Sequence, residues 1–188
     1  HEYTHVLTLG VSDSRVPRWL TEGFSVYEER ARDASWERGM DRELFDAFHN
    51  QDIPPVRLMN RLFRGPRILF GYYQGGLIVE LITKQFGFDK ALELLRAFGD
   101  DQSIEQAFER AVGMSSRAFD QRLLQYVERD VLRGVKLVQR FDARTVRRRM
   151  AEARKAPRNL DARVDLAWAG LQQNNPVDAG RWLAEVLR

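Results

Sequence analysis

The chain has 188 residues, 44% of them hydrophobic and 30% charged, with a formal net charge of +3. That length suits one ordinary domain plus an appendage, and so small a charge excess points to no strongly acidic partner. Having no Cys, the sequence excludes a disulfide framework and a thiolate metal site, and no apolar run reaches the roughly twenty residues of a bilayer span.

The first predicted element begins at once, with His1-Glu2-Tyr3-Thr4-His5. On a helix, residues four apart stack one turn above each other, so His1 and His5 share a face. Two imidazoles at that spacing suit one Zn²⁺, while Glu2 points about 100° round the helix, placed to reach water at the metal rather than to bind it. Two of only three histidines in the chain fall in this pattern. The helix is expected to stop near Gly10, followed by the polar connection Ser12–Arg15. A second helix is predicted from about Pro17 to Arg32, with Pro in the first turn, where a missing N–H does no harm. Trp19, Leu20, Gly23, Phe24, Val26 and Tyr27 form its apolar face. Glu22 lies amid that face, where an unpaired carboxylate is costly and a metal partner accounts for it.

The pair of motifs, His-Glu-x-x-His and then Trp-Leu-Thr-Glu-Gly-Phe-Ser-Val-Tyr, resembles the gluzincin peptidases. It is most similar to their compact bacterial peptidase MA-like branch, related to the aminopeptidase N-type enzymes. The resemblance implies His1, His5 and Glu22 as ligands of one Zn²⁺ per chain, Glu2 as catalytic base, and Glu29 as a carboxylate that orients a ligand imidazole. The sequence departs from the aminopeptidase N pattern twice. The 16 residues between His5 and Glu22 make a shorter connection, and Thr21 stands where Asn is usual.

Further along, Asp33–Met40 reads as a loop, with Trp36 expected to pack back on the core. Asp41–His49 is predicted as an amphipathic helix with Leu44, Phe45 and Phe48 inside, ending in a surface histidine, His49. Ile53-Pro54-Pro55 breaks the chain, Val56–Phe63 forms a short buried segment, and Arg64–Arg67 a turn. Around Phe70–Val79 a helix is predicted to start, capped later by Gly87. Gly75 and Gly76 in its first turn would each cost about 1 kcal/mol against Ala, so close backbone approach is expected there. The gluzincin resemblance implies that a tyrosine at this helix start stabilises the tetrahedral intermediate: Tyr72 fits the spacing best, with Tyr73 in reserve.

Three amphipathic helices follow, over Phe88–Phe98, Ser103–Val112 and Ser115 to about Leu132, with Ser103 and Gln106 at capping-box spacing. Residues 135–141 read as a linker. Arg144, Arg147, Arg148, Arg149, Arg154, Lys155 and Arg158 make one basic run; without interleaved aromatics it reads as a solvated helix face rather than a nucleic-acid surface. Leu166, Ala167, Ala179 and Leu183 match one tetratricopeptide unit, and Pro157 the close of a preceding one.

The fold class expected is therefore mainly α: a gluzincin catalytic lobe at 1–134, then linker and tetratricopeptide-like helices at 135–188. The chain opens on a candidate ligand with no leading Met, so a longer protein is expected; the gluzincin resemblance implies a β-rich part upstream, and a lone repeat, unable to bury its face, implies further repeats downstream. The function expected is zinc-dependent hydrolysis of a peptide or protein substrate, with Glu2 as base and Tyr72 at the oxyanion. The alternatives are a catalytically silent scaffold that binds a protein partner through the tetratricopeptide-like segment, or a purely structural zinc. No nucleic-acid partner is expected.

Overall fold

A computed structural model describes residues 1–36, 39–156 and 159–187, and among these every regular element is helical. The chain separates into two compact units, His1–Leu44 with Asp52–Val135, and Phe45–Gln51 with Lys136–Arg188. None of the described helices is long and apolar enough to cross a membrane.

The first unit begins with α1 (Glu2–Val11) and α2 (Arg18–Arg32). Helix α1 runs one residue past Gly10. Its exit is set by Ser12, whose hydroxyl donates to the Thr8 carbonyl (2.7 Å) and accepts the Val16 N–H (3.2 Å). Asp13 and Ser14 then take left-handed backbone angles (φ 49° and 60°) to reverse the chain. Pro17 leaves α2 without a side-chain cap of its own. The Asn60 side chain reaches in to accept the Trp19 N–H at 3.1 Å, satisfying one orphan donor of the first turn.

Helix α2 packs along α5 (Ile68–Phe86), the longest element. Gly75 and Gly76 lie in the middle of α5 and not in its first turn, because the helix starts at Ile68. The close approach expected there comes from α2: a Cβ on Gly23 would sit 2.6 Å from the Gly75 carbonyl, and one on Gly75 2.7 Å from the Trp19 oxygen. Around this crossing Trp19, Leu20, Leu77, Ile78, Leu81 and Ile82 are fully buried.

Arg30 of α2 pairs with Glu80 of α5, and Lys84 joins Glu80 (2.5 Å) and the Tyr126 hydroxyl (3.1 Å). Burial pushes the Glu80 carboxyl up, but the bonds and charges of Lys84 and Arg30 outweigh it and hold the group below the usual carboxylate range. The wall behind is α6 (Phe88–Gly99), α7 (Ile104–Val112) and α8 (Ser116–Tyr126), with α8 loosening into a π-turn at Val127–Val131. The capping box of Ser103 and Gln106 is present, and the rings of Phe108 and Phe119 pack tilted at 55°, with 4.8 Å between centroids.

Trp36 does not pack on the core. It closes a 3₁₀ turn, Ala34–Trp36, and is 57% exposed. Two earlier short elements, α3 (Asp41–His49) and α4 (Met59–Leu62), follow their hydrophobic periods. His49 is exposed, its Nδ1–H donating to the Phe45 carbonyl (2.8 Å), a helix-end arrangement.

In the second unit, α9 (Ala143–Lys155), α10 (Leu160–Gln172) and α11 (Pro176–Val186) enclose Ala153, Ala162 and Leu166 against Val146, Met150 and Trp182. The basic run of α9 is not one solvated face. Arg148 donates to the Asn50 carbonyl (3.2 Å) and Gln51 (2.9 Å), and Arg149 pairs with Glu152 (2.7 Å) and Asp165 (2.8 Å). Arg144, Arg147, Arg154 and Lys155 are exposed. Leu166, Ala167 and Ala179 are buried, whereas Leu183 is 41% exposed. Pro157 and Arg158 lie outside the described residues.

Candidate metal centre

Helix geometry puts His1, at the N-cap of α1, and His5 on the side of α1 that faces α2. Their rings meet edge to face, 5.0 Å between centroids. Glu22 comes from the second turn of α2 and is only 7% exposed. Its Oε2 lies 3.3 Å from His1 Nε2 and 3.4 Å from His5 Nε2. A tetrahedron with the 2.0–2.1 Å bonds usual for zinc has edges of about 3.3–3.4 Å. One ligand atom from each of the three side chains lies within 4.8 Å of the others.

The opposite ends of these side chains are also held. His1 Nδ1 faces Glu29 Oε1 at 3.1 Å, and a carboxylate there favours a proton on Nδ1, so the neutral ring turns its lone pair at Nε2 toward Glu22. His5 Nδ1 lies 2.8 Å from the Thr21 hydroxyl, which lies 2.6 Å from the Thr8 hydroxyl. Thr8 spends its single proton on the His5 carbonyl (3.2 Å). Thr21 must therefore donate to Thr8 and accept from His5 Nδ1–H, which again leaves Nε2 as an acceptor. Two imidazole lone pairs and a carboxylate oxygen thus point at one spot. Three acceptors so close repel unless a cation or protons sit among them. The donor set fits a zinc ion.

The other oxygen of Glu22, Oε1, accepts from the Tyr72 hydroxyl (3.1 Å) and Arg18 Nε (3.3 Å). The Tyr72 hydroxyl and the Glu22 carboxylate raise the Arg18 guanidinium above its ordinary value. Arg18 lies over the Phe63 ring (5.2 Å), which packs edge-on to Tyr72 (5.3 Å). Ser25 ties the two helices together at the site, donating to the carbonyls of Thr21 (3.1 Å) and His1 (3.3 Å).

Of the residues singled out in the sequence, the fold brings His1, His5, Glu22, Glu29 and Tyr72 together. Glu2 stands exposed in the first turn of α1, next to His1. Tyr73, one position past Tyr72, is buried at 4% exposure. Thr21 stands out in the sequence only as a departure from the aminopeptidase N pattern, and the structure gives it a place against His5 Nδ1; Thr8 and Arg18 carry no sequence motif of their own. The position of Arg18, one turn before Glu22, is a signal that could have found it; the Thr8–Thr21 contact has no local signature.

A family model described as the Peptidase MA superfamily matches residues 1–129. No curated protein and no solved structure matched the chain. The family match spans 129 of the 188 residues, from α1 through α8 and with them every residue of the cluster, and the chain belongs to the Peptidase MA superfamily.

Proposed function

We propose that the protein is a gluzincin-type zinc metallopeptidase that hydrolyses peptide bonds. The observation that carries this reading is the placement of Glu22 Oε2 at tetrahedral-edge spacing from both His1 Nε2 and His5 Nε2, with both imidazole Nδ1 atoms already held. His1, His5 and Glu22 would hold the ion, with Glu29 and Thr21 orienting the rings. Zinc in such a three-ligand site supplies Lewis-acid chemistry, lowering the pKa of water toward neutrality and polarising a carbonyl. Glu2, exposed beside His1, takes the proton of the attacking water and returns it to the leaving amine. Tyr72 donates to the developing oxyanion, a contribution of about 3 kcal/mol where one such donor has been removed. A structural zinc is disfavoured by chemistry, since structural sites are usually closed by four ligands.

The domain assignment belongs to the same proposal. Residues 1–134 form the catalytic lobe, and 135–188 the linker and tetratricopeptide-like helices, which would take a protein partner. In favour of the latter stands the tight pairing of α10 and α11, where a Cβ on Gly170 would meet the Ala179 nitrogen at 3.1 Å.

The test is metal content by mass spectrometry together with peptide hydrolysis, for wild type, Glu22→Ala and Glu2→Gln. About one zinc per chain is expected in wild type, lost in Glu22→Ala and retained in Glu2→Gln with turnover nearly abolished. No zinc in metal-replete wild type would sink the reading, and an active Glu2→Gln would remove Glu2 as base. A zinc-loaded wild type that cleaves nothing in a broad peptide library would favour the silent scaffold.

A further inference from the structure

The two oxygens of Glu22 are treated differently. Oε2 faces both imidazoles, whereas Oε1 takes two donors, the Tyr72 hydroxyl and Arg18 Nε. A carboxylate with its second oxygen bare can grip a metal through both oxygens and fill the position that water and substrate need. Donors on Oε1 prevent that. They are unequal in kind: Arg18 is a cation held one turn from Glu22 on the same helix, so its attraction to the carboxylate persists, whereas Tyr72 is a neutral donor from α5 and can exchange one acceptor for another.

Arg18 is also fixed from more than one side. Being four residues before Glu22 on α2, it stands one turn away on the same face. Its guanidinium lies over Phe63, and Phe63 in turn packs edge-on to Tyr72. Its side chain is half exposed, so its charge is screened and its contribution is geometric rather than a large electrostatic stabilisation.

We propose that Arg18 is the positioning residue that keeps Glu22 bound through one oxygen, so that the Tyr72 hydroxyl can leave that carboxylate for the reacting carbonyl. This rests on the zinc reading above. Arg18 touches neither substrate nor metal and acts through Glu22.

The experiment uses the whole chain and metal alone. Zinc dissociation constants come from competition with a chromophoric chelator, and coordination number from the absorption spectrum of the cobalt(II) form. The proteins are wild type, Arg18→Met, Arg18→Lys and Tyr72→Phe. Arg18→Met is expected to bind zinc about tenfold more weakly and to shift its cobalt spectrum toward higher coordination. Arg18→Lys should restore part of both, while Tyr72→Phe should keep the wild-type affinity and spectrum and lose turnover. An Arg18→Met protein with wild-type affinity and spectrum overturns the inference, as does a Tyr72→Phe protein that shifts as far as Arg18→Met. Wild type that takes up neither metal overturns the zinc reading and this inference with it.

Discussion

A histidine offers a metal one nitrogen only when something else settles the other. At His1 that is the Glu29 carboxylate, and at His5 it is the hydroxyl pair Thr21 and Thr8. The threonine at position 21, where the aminopeptidase N pattern has an amide side chain, therefore does not leave His5 unsupported: it supplies an acceptor, and its own proton has a destination in Thr8. Thr21→Val keeps the shape and removes the hydroxyl, leaving His5 free to change tautomer. Under the zinc reading it should weaken zinc about tenfold while the far-ultraviolet circular dichroism stays that of wild type. Unchanged affinity would show that the hydroxyl does not orient His5.

Beside the two histidines at the start of α1, helices α2 and α5 carry the rest of the site, Glu22 and Glu29 on one and Tyr72 on the other. They lie close enough for this because Gly23 and Gly75 cross without side chains. The paired glycines predict a close backbone approach at Gly75, but helical period does not say which helix approaches. A Cβ at position 23 would strike backbone, which cannot rotate away as a side chain can. Gly23→Ala should therefore destabilise the fold by about 2 kcal/mol or more, in spite of the better helix propensity of Ala. Denaturant titration checks this, and a variant as stable as wild type would mean that the crossing is looser than described. The Arg30–Glu80–Lys84 network joins the same two helices further along, toward their C-terminal ends.

In the first unit the candidate ligands come from the chain's opening residues and from α2, separated by a reversing turn. An ion bound there stabilises the folded form by mass action, about 2.7 kcal/mol at a hundredfold excess over the dissociation constant. Differential scanning calorimetry with zinc and then with a chelator should therefore move the transition of that unit up and back. Zinc that leaves the melting curve where the chelator puts it would argue against a site in the folded state. The mainly helical class holds for the described residues of both units, whereas the family match covers residues 1–129 and with them every candidate ligand.

Much of the architecture could be read locally. The period of Leu94, Leu95 and Phe98, the capping box at Ser103, and the break at Pro54-Pro55 depend only on near neighbours along the chain, and all emerge as described. The spacing of His1 and His5 on one helical face is likewise a property of the helix itself. What depends on residues distant in sequence was out of reach. Trp36 looks like a core residue by its size, yet it closes a short 3₁₀ turn with 57% of its surface exposed. Arg148 and Arg149 look solvated by charge, yet they meet acceptors from Asn50, Gln51 and Asp165. The direction of each imidazole proton, and the donors on the second oxygen of Glu22, are likewise decided only when α1, α2 and α5 are in place. Helical period fixes which face a residue occupies, but the partner waiting on that face is a tertiary fact, because it comes from wherever packing brings another part of the chain.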